Sequence, residues 1–316
     1  MSIRPLDLLD LPVLYRYRHE VASLDSTRLL VHGNPLSTAG LVAAMNPRQH
    51  NYAALAEENG AAVLGGVNHI PGDAFARLHY LAPVTHLEHP ELPALIERLV
   101  AEAGSWGVFH ILAEVEENSA AFLPLRRAGF SVYAWQRIWD FSTIRGEKGE
   151  FDWMRVRSVH LPALQSLYQQ IVPPLLHPIE PLPVQGTGWL CNDGAKCYFN
   201  VVRGAQGMVL LPLIHPETAQ VSEKLLAFLA HLNERRDLPV YFCVRSYQAW
   251  LEPVLEDLGA TGGPRQAVMV RRLTQTVKEP ELTPALEKVL GRARPAAPLR
   301  MEQVKEKQSG PAGVIK

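Results

Sequence analysis

The sequence has little of what announces a partner or a compartment. Cysteine is rare: Cys191, Cys197 and Cys243 are the three in 316 residues. They are too few for a disulfide framework, and none of their spacings reads as a zinc site, so no metal is expected. They read as ordinary thiols on half-buried strands. Charge of one sign is also missing, with 31 Lys and Arg against 32 Asp and Glu and a formal net charge of −1. Without a basic excess there is no electrostatic case for nucleic acid or an anionic membrane as partner. No apolar run approaches the ~20 residues that cross a bilayer, and Met1-Ser2-Ile3-Arg4-Pro5 has no apolar signal core. A soluble cytoplasmic protein is the expectation that remains.

What is present is a repeat. Hydrophobic residues make up 47% of the chain, enough for an ordinary core in each of about two domains at ~100–200 residues apiece. LHYLAPV (Leu78–Val84) lies over MVLLPLI (Met208–Ile214) at a constant spacing of 130, which puts Leu81 on Leu211. The same spacing then carries Leu95 onto Leu225, Leu99 onto Leu229, Ile111 onto Tyr241, Asn118 onto Gln248 and Gly129 onto Gly259. Both segments run apolar strand, loop, amphipathic helix, strand, second helix ending at glycine, last strand. Leu92, Leu95, Ile96 and Leu99 in one, and Val221, Leu225, Leu226 and Leu229 in the other, keep the 3.6 period of a helix with one buried face. Gly129 and Gly259 sit where a helix end tolerates positive φ.

The starts of the copies match at a spacing of 150, with Leu11-Pro12 over Leu161-Pro162. The second copy therefore lacks about twenty residues after its first helix, and PPLLHPIEPLPV (Pro173–Val184) stands there instead. Its prolines favour an irregular, extended connection, with His177 a loop residue. The expected organisation is a first domain over 1–143, a polar linker over 144–151, a second domain over 152–276, and a C-terminal tail over 277–316. The tail's Pro, Ala, Lys and Glu predict disorder, with one short helix at Pro284–Leu290.

This element order resembles the GNAT superfamily of N-acetyltransferases over roughly Ser2–Phe141 and again over Asp152–Leu273. The segment EENSAAFLPLRRAGFSVY (Glu116–Tyr133) is its best local match: Asn118 stands where the family has an asparagine opening a helix, as an N-cap, and Gly129-Phe130 where the family has Gly-Phe. The resemblance implies an α+β fold of two tandem domains, each a mixed, mainly antiparallel sheet of about six or seven strands flanked by helices.

The resemblance also implies a chemistry with three requirements. The first is a glycine-rich loop before a helix, where main-chain amides cradle the diphosphate of acetyl-CoA or CoA. Neither Thr85–Glu91 nor Thr218–Ser222 contains a glycine, and Glu88 and Glu91 would repel a diphosphate while stabilising an empty helix start. The second is an acid, often tyrosine, four residues before the Gly-Phe glycine; Leu125 and Leu255 occupy those positions and cannot donate. The third is a general base on the central strands, for which His79, Glu114 and Glu116 are the candidates. Alternate polar residues on a half-buried strand would look the same. Cofactor contacts are expected at Leu81, Val84 and Asn118 in the first copy and at Leu211, Leu213, Ile214, Thr218 and Ser222 in the second. An acyl carrier's arm can pair with main-chain groups of a strand whatever its side chains.

Two functions follow from the resemblance: an acyl-CoA-dependent N-acyltransferase acting on a small-molecule or peptide amine, or a degenerate tandem domain that binds a small molecule or serves as a scaffold. The residues leave open whether the copies pack within one chain or across a homodimer.

Overall fold

The computed structural model describes residues 2–58, 61–147, 149–184, 186–192, 194–233 and 238–273. The tail over 277–316 and its Pro284–Leu290 helix lie outside the described residues. The first half comprises β1 (Ser2–Pro5), α1 (Leu11–Tyr17), β2 (Ala22–Ser23), α2 (Ser26–His32), α3 (Thr38–Ala44), β3 (His50–Glu58), β4 (Ala61–His69), β5 (Phe75–Ala82), α4 (Leu92–Ser105), β6 (His110–Glu116), α5 (Phe122–Arg127) and β7 (Ser131–Asp140). The second comprises β8 (Trp153–Arg155), α6 (Leu161–Ile171), β9 (Gly188–Cys191), β10 (Cys197–Arg203), β11 (Met208–Ile214), α7 (Val221–Asn233), β12 (Val240–Arg245), α8 (Leu251–Asp257) and β13 (Thr261–Arg272).

The spacing of 130 carries these bounds almost without drift: α4 onto α7, β6 onto β12, α5 onto α8 and β7 onto β13. The helix stripes are buried as their period requires, with Leu92, Leu95, Ile96 and Leu99 of α4 against the first core and Leu225, Phe228 and Leu229 of α7 against the second. Gly129 and Gly259 close α5 and α8 at φ of 83° and 86°, in the left-handed region that stops a helix. Asn118 is not the cap of α5. It is exposed in the preceding turn, the helix starts four residues later, and the Ser119 hydroxyl accepts from the Ala121 N–H at 3.2 Å. The Ser142–Gly149 stretch packs along α7, where the Glu147 N–H donates to the Leu226 carbonyl at 3.1 Å.

The sheets are joined in a way the sequence pattern does not anticipate. A single sheet runs β1-β3-β4-β5-β6-β13-β7-β12-β11-β10-β9-β8, with β2 added on β5. Each half therefore ends on the other's last strand: β13 pairs antiparallel with β6, β7 pairs antiparallel with β12, and β7 and β13 pair with each other at the middle. The physical reason is equivalence. The two last strands hold the same position in the repeat, so either can complete either half, and exchange adds the β7–β13 ladder as a gain. The cores follow the strands: Ala267 and Met269 of β13 belong to the first core, Trp139 of β7 to the second. Gln136 and Gln266, equivalent at the spacing of 130, meet at the centre, Nε2 to Oε1 at 2.7 Å.

Phe228 anchors the second core, its ring 4.7 Å from Phe199 and 4.5 Å from Trp153. Phe228→Ala should cost ~3–5 kcal/mol. Because the halves share strands, scanning calorimetry should give one transition in both proteins, shifted down as a whole in the variant. Two separate transitions would show that the halves melt alone.

Candidate functional site

In each half two neighbouring strands run parallel and pair only at their beginnings. β5 and β6 are bonded over Phe75–Arg77 and His110–Leu112, and β11 and β12 over Met208–Leu210 and Val240–Phe242. Beyond those residues β5 runs on to Ala82 and β11 to Ile214 without the partner, which leaves main-chain groups on that edge to be satisfied by something else.

In the first half the chain itself does so. β2 lays Ala22 against Leu81 and Ser23 against Tyr80. Around it the Leu24 N–H donates to the His79 carbonyl at 2.7 Å, the Glu114 N–H to the Leu24 carbonyl at 2.8 Å, and the Val84 N–H to the Glu20 carbonyl at 2.8 Å. The expected cofactor edge at Leu81 and Val84 is thus already occupied by residues 20–24. In the second half one side chain performs the task. Gln248, buried, accepts from the Ile214 N–H at 3.0 Å and donates to the Pro212 carbonyl at 2.9 Å. Leu211 and Leu213 pair with Asn200 and Tyr198 of β10.

The two loops that would hold a diphosphate differ. Glu91 precedes α4, 9% exposed, but its side chain makes no cap hydrogen bond and its Oε2 is buried without a hydrogen-bond partner. Before α7 the Thr218 hydroxyl donates to the Lys196 carbonyl at 3.3 Å, and the Lys224 ammonium to the Ala219 carbonyl at 2.7 Å. Ser222 lies in the first turn of α7.

The chemistry-bearing side chains gather instead between the halves. Arg245, at the end of β12, is buried with its guanidinium 3.5 Å from Glu114 of β6 and 3.3 Å from Glu180 of the proline-rich segment. It also donates to Gln136 Oε1, which the Cys243 thiol approaches at 3.3 Å. Glu114 further accepts from the Ser26 N–H at 3.0 Å, and the Ser26 hydroxyl donates to Gln266 at 2.8 Å. The Glu180 carboxylate beside it holds the Arg245 charge firmly in place against the cost of burial. Burial pushes the Cys243 thiol up to about 12, which removes it as a nucleophile near neutral pH.

The three base candidates part company. Glu114 is committed to Arg245 and Ser26. His79 opposes no residue of β4, being the extra residue where the β4–β5 register shifts. It is sealed in the interior, Nδ1 3.9 Å from Asp25, with neither ring nitrogen hydrogen-bonded. Glu116 ends β6 exposed to solvent. Segment 24–26 ties the first two together through Leu24, Asp25 and Ser26, but Glu116 stands apart. At the acid positions Leu125 and Leu255 are core residues, 0% and 1% exposed.

Over the ion cluster a pocket of about 70 Å³ adjoins a cleft of about 630 Å³. Residues of both halves line them, and Glu180–Pro183 form a shared wall. No family model matches the sequence, and no curated protein matches it. Solved structures do. A GCN5-related N-acetyltransferase (GNAT) from Sphaerobacter thermophilus is similar at 12% identity over 86% of this chain and 95% of its own, with a TM-score of 0.53. A tandem GNAT protein from the clavulanic acid biosynthesis pathway is similar at 12% identity over 87% and 99%, with a TM-score of 0.50. The chain has the GNAT fold, in tandem.

Within that GNAT fold, Glu114 alone of the three base candidates belongs to the ion cluster, and sequence reasoning missed Arg245, Glu180 and Gln248. Gln136 and Gln266 carried a readable signal, because two glutamines recur at the repeat spacing inside the last strands. Among the described residues no helix is long and apolar enough to cross a membrane.

Burial, reinforced by the charges of Arg28 and Arg77, holds the His79 pKa well below the usual 6.5. The unfolded chain therefore takes up a proton below pH ~6.5 that the folded chain refuses. Its stability contribution is full above that pH and is lost as pH falls, by at most ~1.4 kcal/mol per unit. Urea titrations at pH 7.5 and 5.5 should show His79→Leu gaining about 1 kcal/mol on the wild type between the two conditions. A constant difference would mean that His79 takes up its proton in the fold as readily as in the unfolded chain.

Proposed function

We propose that this tandem GNAT-fold chain has turned from acyl transfer to small-molecule binding, with the cleft between its repeat units, 1–143 and 152–276, as the binding site. The observation that carries this reading is the filling of both open strand edges by the protein's own groups, residues 20–24 in one half and Gln248 in the other. An acyl-CoA arm would have to displace internal hydrogen bonds that already satisfy those edges, each worth about 0.5–1.5 kcal/mol. Neither half offers the amide cradle that would offset the loss. The cleft has the size and the mixed apolar and polar lining of a ligand site.

One feature supports a second reading, an acyl-CoA-dependent N-acyltransferase with the second half as host. The β11 edge there is closed by one side chain rather than by backbone, and a side chain can turn away. In that reading acetyl-CoA lies along Leu211–Ile214 and Thr218–Ser222, and a small-molecule or peptide amine accepts the acyl group.

Calorimetric titration separates them. Under the first reading neither acetyl-CoA nor CoA should give saturable heat up to millimolar concentration. The second calls for weak binding that Gln248→Ala strengthens by freeing the β11 edge. Sub-micromolar binding to the wild type would overturn the first reading.

A further inference from the structure

The cleft between the halves is lined by two guanidinium groups that make no ion pair among the described residues. Arg77 of β5 lines both the small pocket and the cleft, its guanidinium over the ring of Phe75 at 4.9 Å. Arg28 of α2 donates to the neutral Gln49 at 3.1 Å. Of the carboxylates nearby, Glu180 pairs with Arg245, while Asp25 accepts from the Arg28 main-chain N–H at the start of α2 and acts on the Arg28 guanidinium through space, as Asp73 does with Arg77. Asp73 lies exposed in the loop before β5 and makes no ion pair with either arginine among the described residues. The imidazoles at the cleft, His32 and His177, add no fixed counter-charge; burial holds His32 toward its neutral form, and His177 is bonded to the Val172 carbonyl at 2.9 Å.

Two carboxamides complete the lining. Asn68 is 4% exposed and Asn200 half-buried, and the side-chain oxygen of each is buried without a hydrogen-bond partner. A buried carbonyl oxygen left unpaired costs about 1–3 kcal/mol, a cost that a hydroxyl or N–H donor on a ligand removes. Pro181, Leu182 and Pro183 line the same cleft as an apolar wall.

Resting on the reading of the cleft as a binding site, we propose that its ligand is a small organic oxyanion, a carboxylate or phosphate monoester, held by Arg28 and Arg77 with its carbon body against Pro181–Pro183. Planar guanidinium forks match the paired oxygens of either group.

The test uses the full chain and four probes that share one ring: benzoate, phenyl phosphate, benzylamine and benzyl alcohol, titrated by calorimetry. Benzoate or phenyl phosphate should bind saturably, and the tighter of the two identifies the oxyanion. Arg77→Gln and Arg28→Gln should each weaken that binding by about tenfold or more. Leu182→Trp, at an exposed wall residue that tolerates substitution, should block it while the far-ultraviolet dichroism stays unchanged. If benzylamine or benzyl alcohol binds and is blocked by Leu182→Trp while neither anion binds, the oxyanion assignment fails and the cleft reading stands. If anion binding persists undiminished in both arginine variants, the assignment fails as well. If no probe binds, both fail.

Discussion

The ladder between β7 and β13 is the contact on which the rest of the molecule depends. It joins two half-sheets into one, places Gln136 against Gln266, and brings the ends of β6 and β12 close enough for Glu114 to meet Arg245. Without it there would be two small sheets with exposed edges, and edges of that kind invite pairing with other chains. With it, the two halves face one another across a cleft lined by residues of both.

A buried arginine between two carboxylates is expensive to assemble and adds little net stability when its geometry is average. Its effect here is on register. Glu114 comes from the first half, Arg245 from the second, and Glu180 from the segment that replaces the twenty residues missing from the second copy. A shift of the halves by one residue would strand a charge in the interior, at several kcal/mol. The cluster thus specifies how the halves meet, and the cleft owes its shape to that specification. The same segment bends Pro181–Pro183 over the cavity, so one stretch supplies both the anion that anchors Arg245 and the apolar wall.

Much of this was legible in the residues. The spacing of 130 carried α4 onto α7 and β6 onto β12, because a helix buried on one face must repeat its apolar stripe wherever the repeat recurs. Gly129 and Gly259 announced their helix ends because only glycine takes that φ cheaply. No glycine stands before α4 or α7, and Glu91 precedes α4 without a side-chain cap bond. Other features had no local signature. Strand exchange is invisible because β7 and β13 carry equivalent patterns. β2 is two residues long, below any periodicity, yet it fills the edge that Leu81 was expected to offer a cofactor. Asn118 and Gln248 align, but one methylene and a different turn send the first to solvent and the second into the core. Glu180 reads as one more polar residue among prolines, since nothing nearby in the chain reveals the arginine it will meet.

Exchange of the last strands also changes what mutation can do to this gene. In an ordinary duplication either copy can be deleted once the other suffices. Here deletion of one copy strips the survivor of the strand that finishes its sheet, so the two must be inherited together. Loops outside the sheet carry no such bond and are free to drift. A substitution in either shared strand, by contrast, is felt in both cores at once.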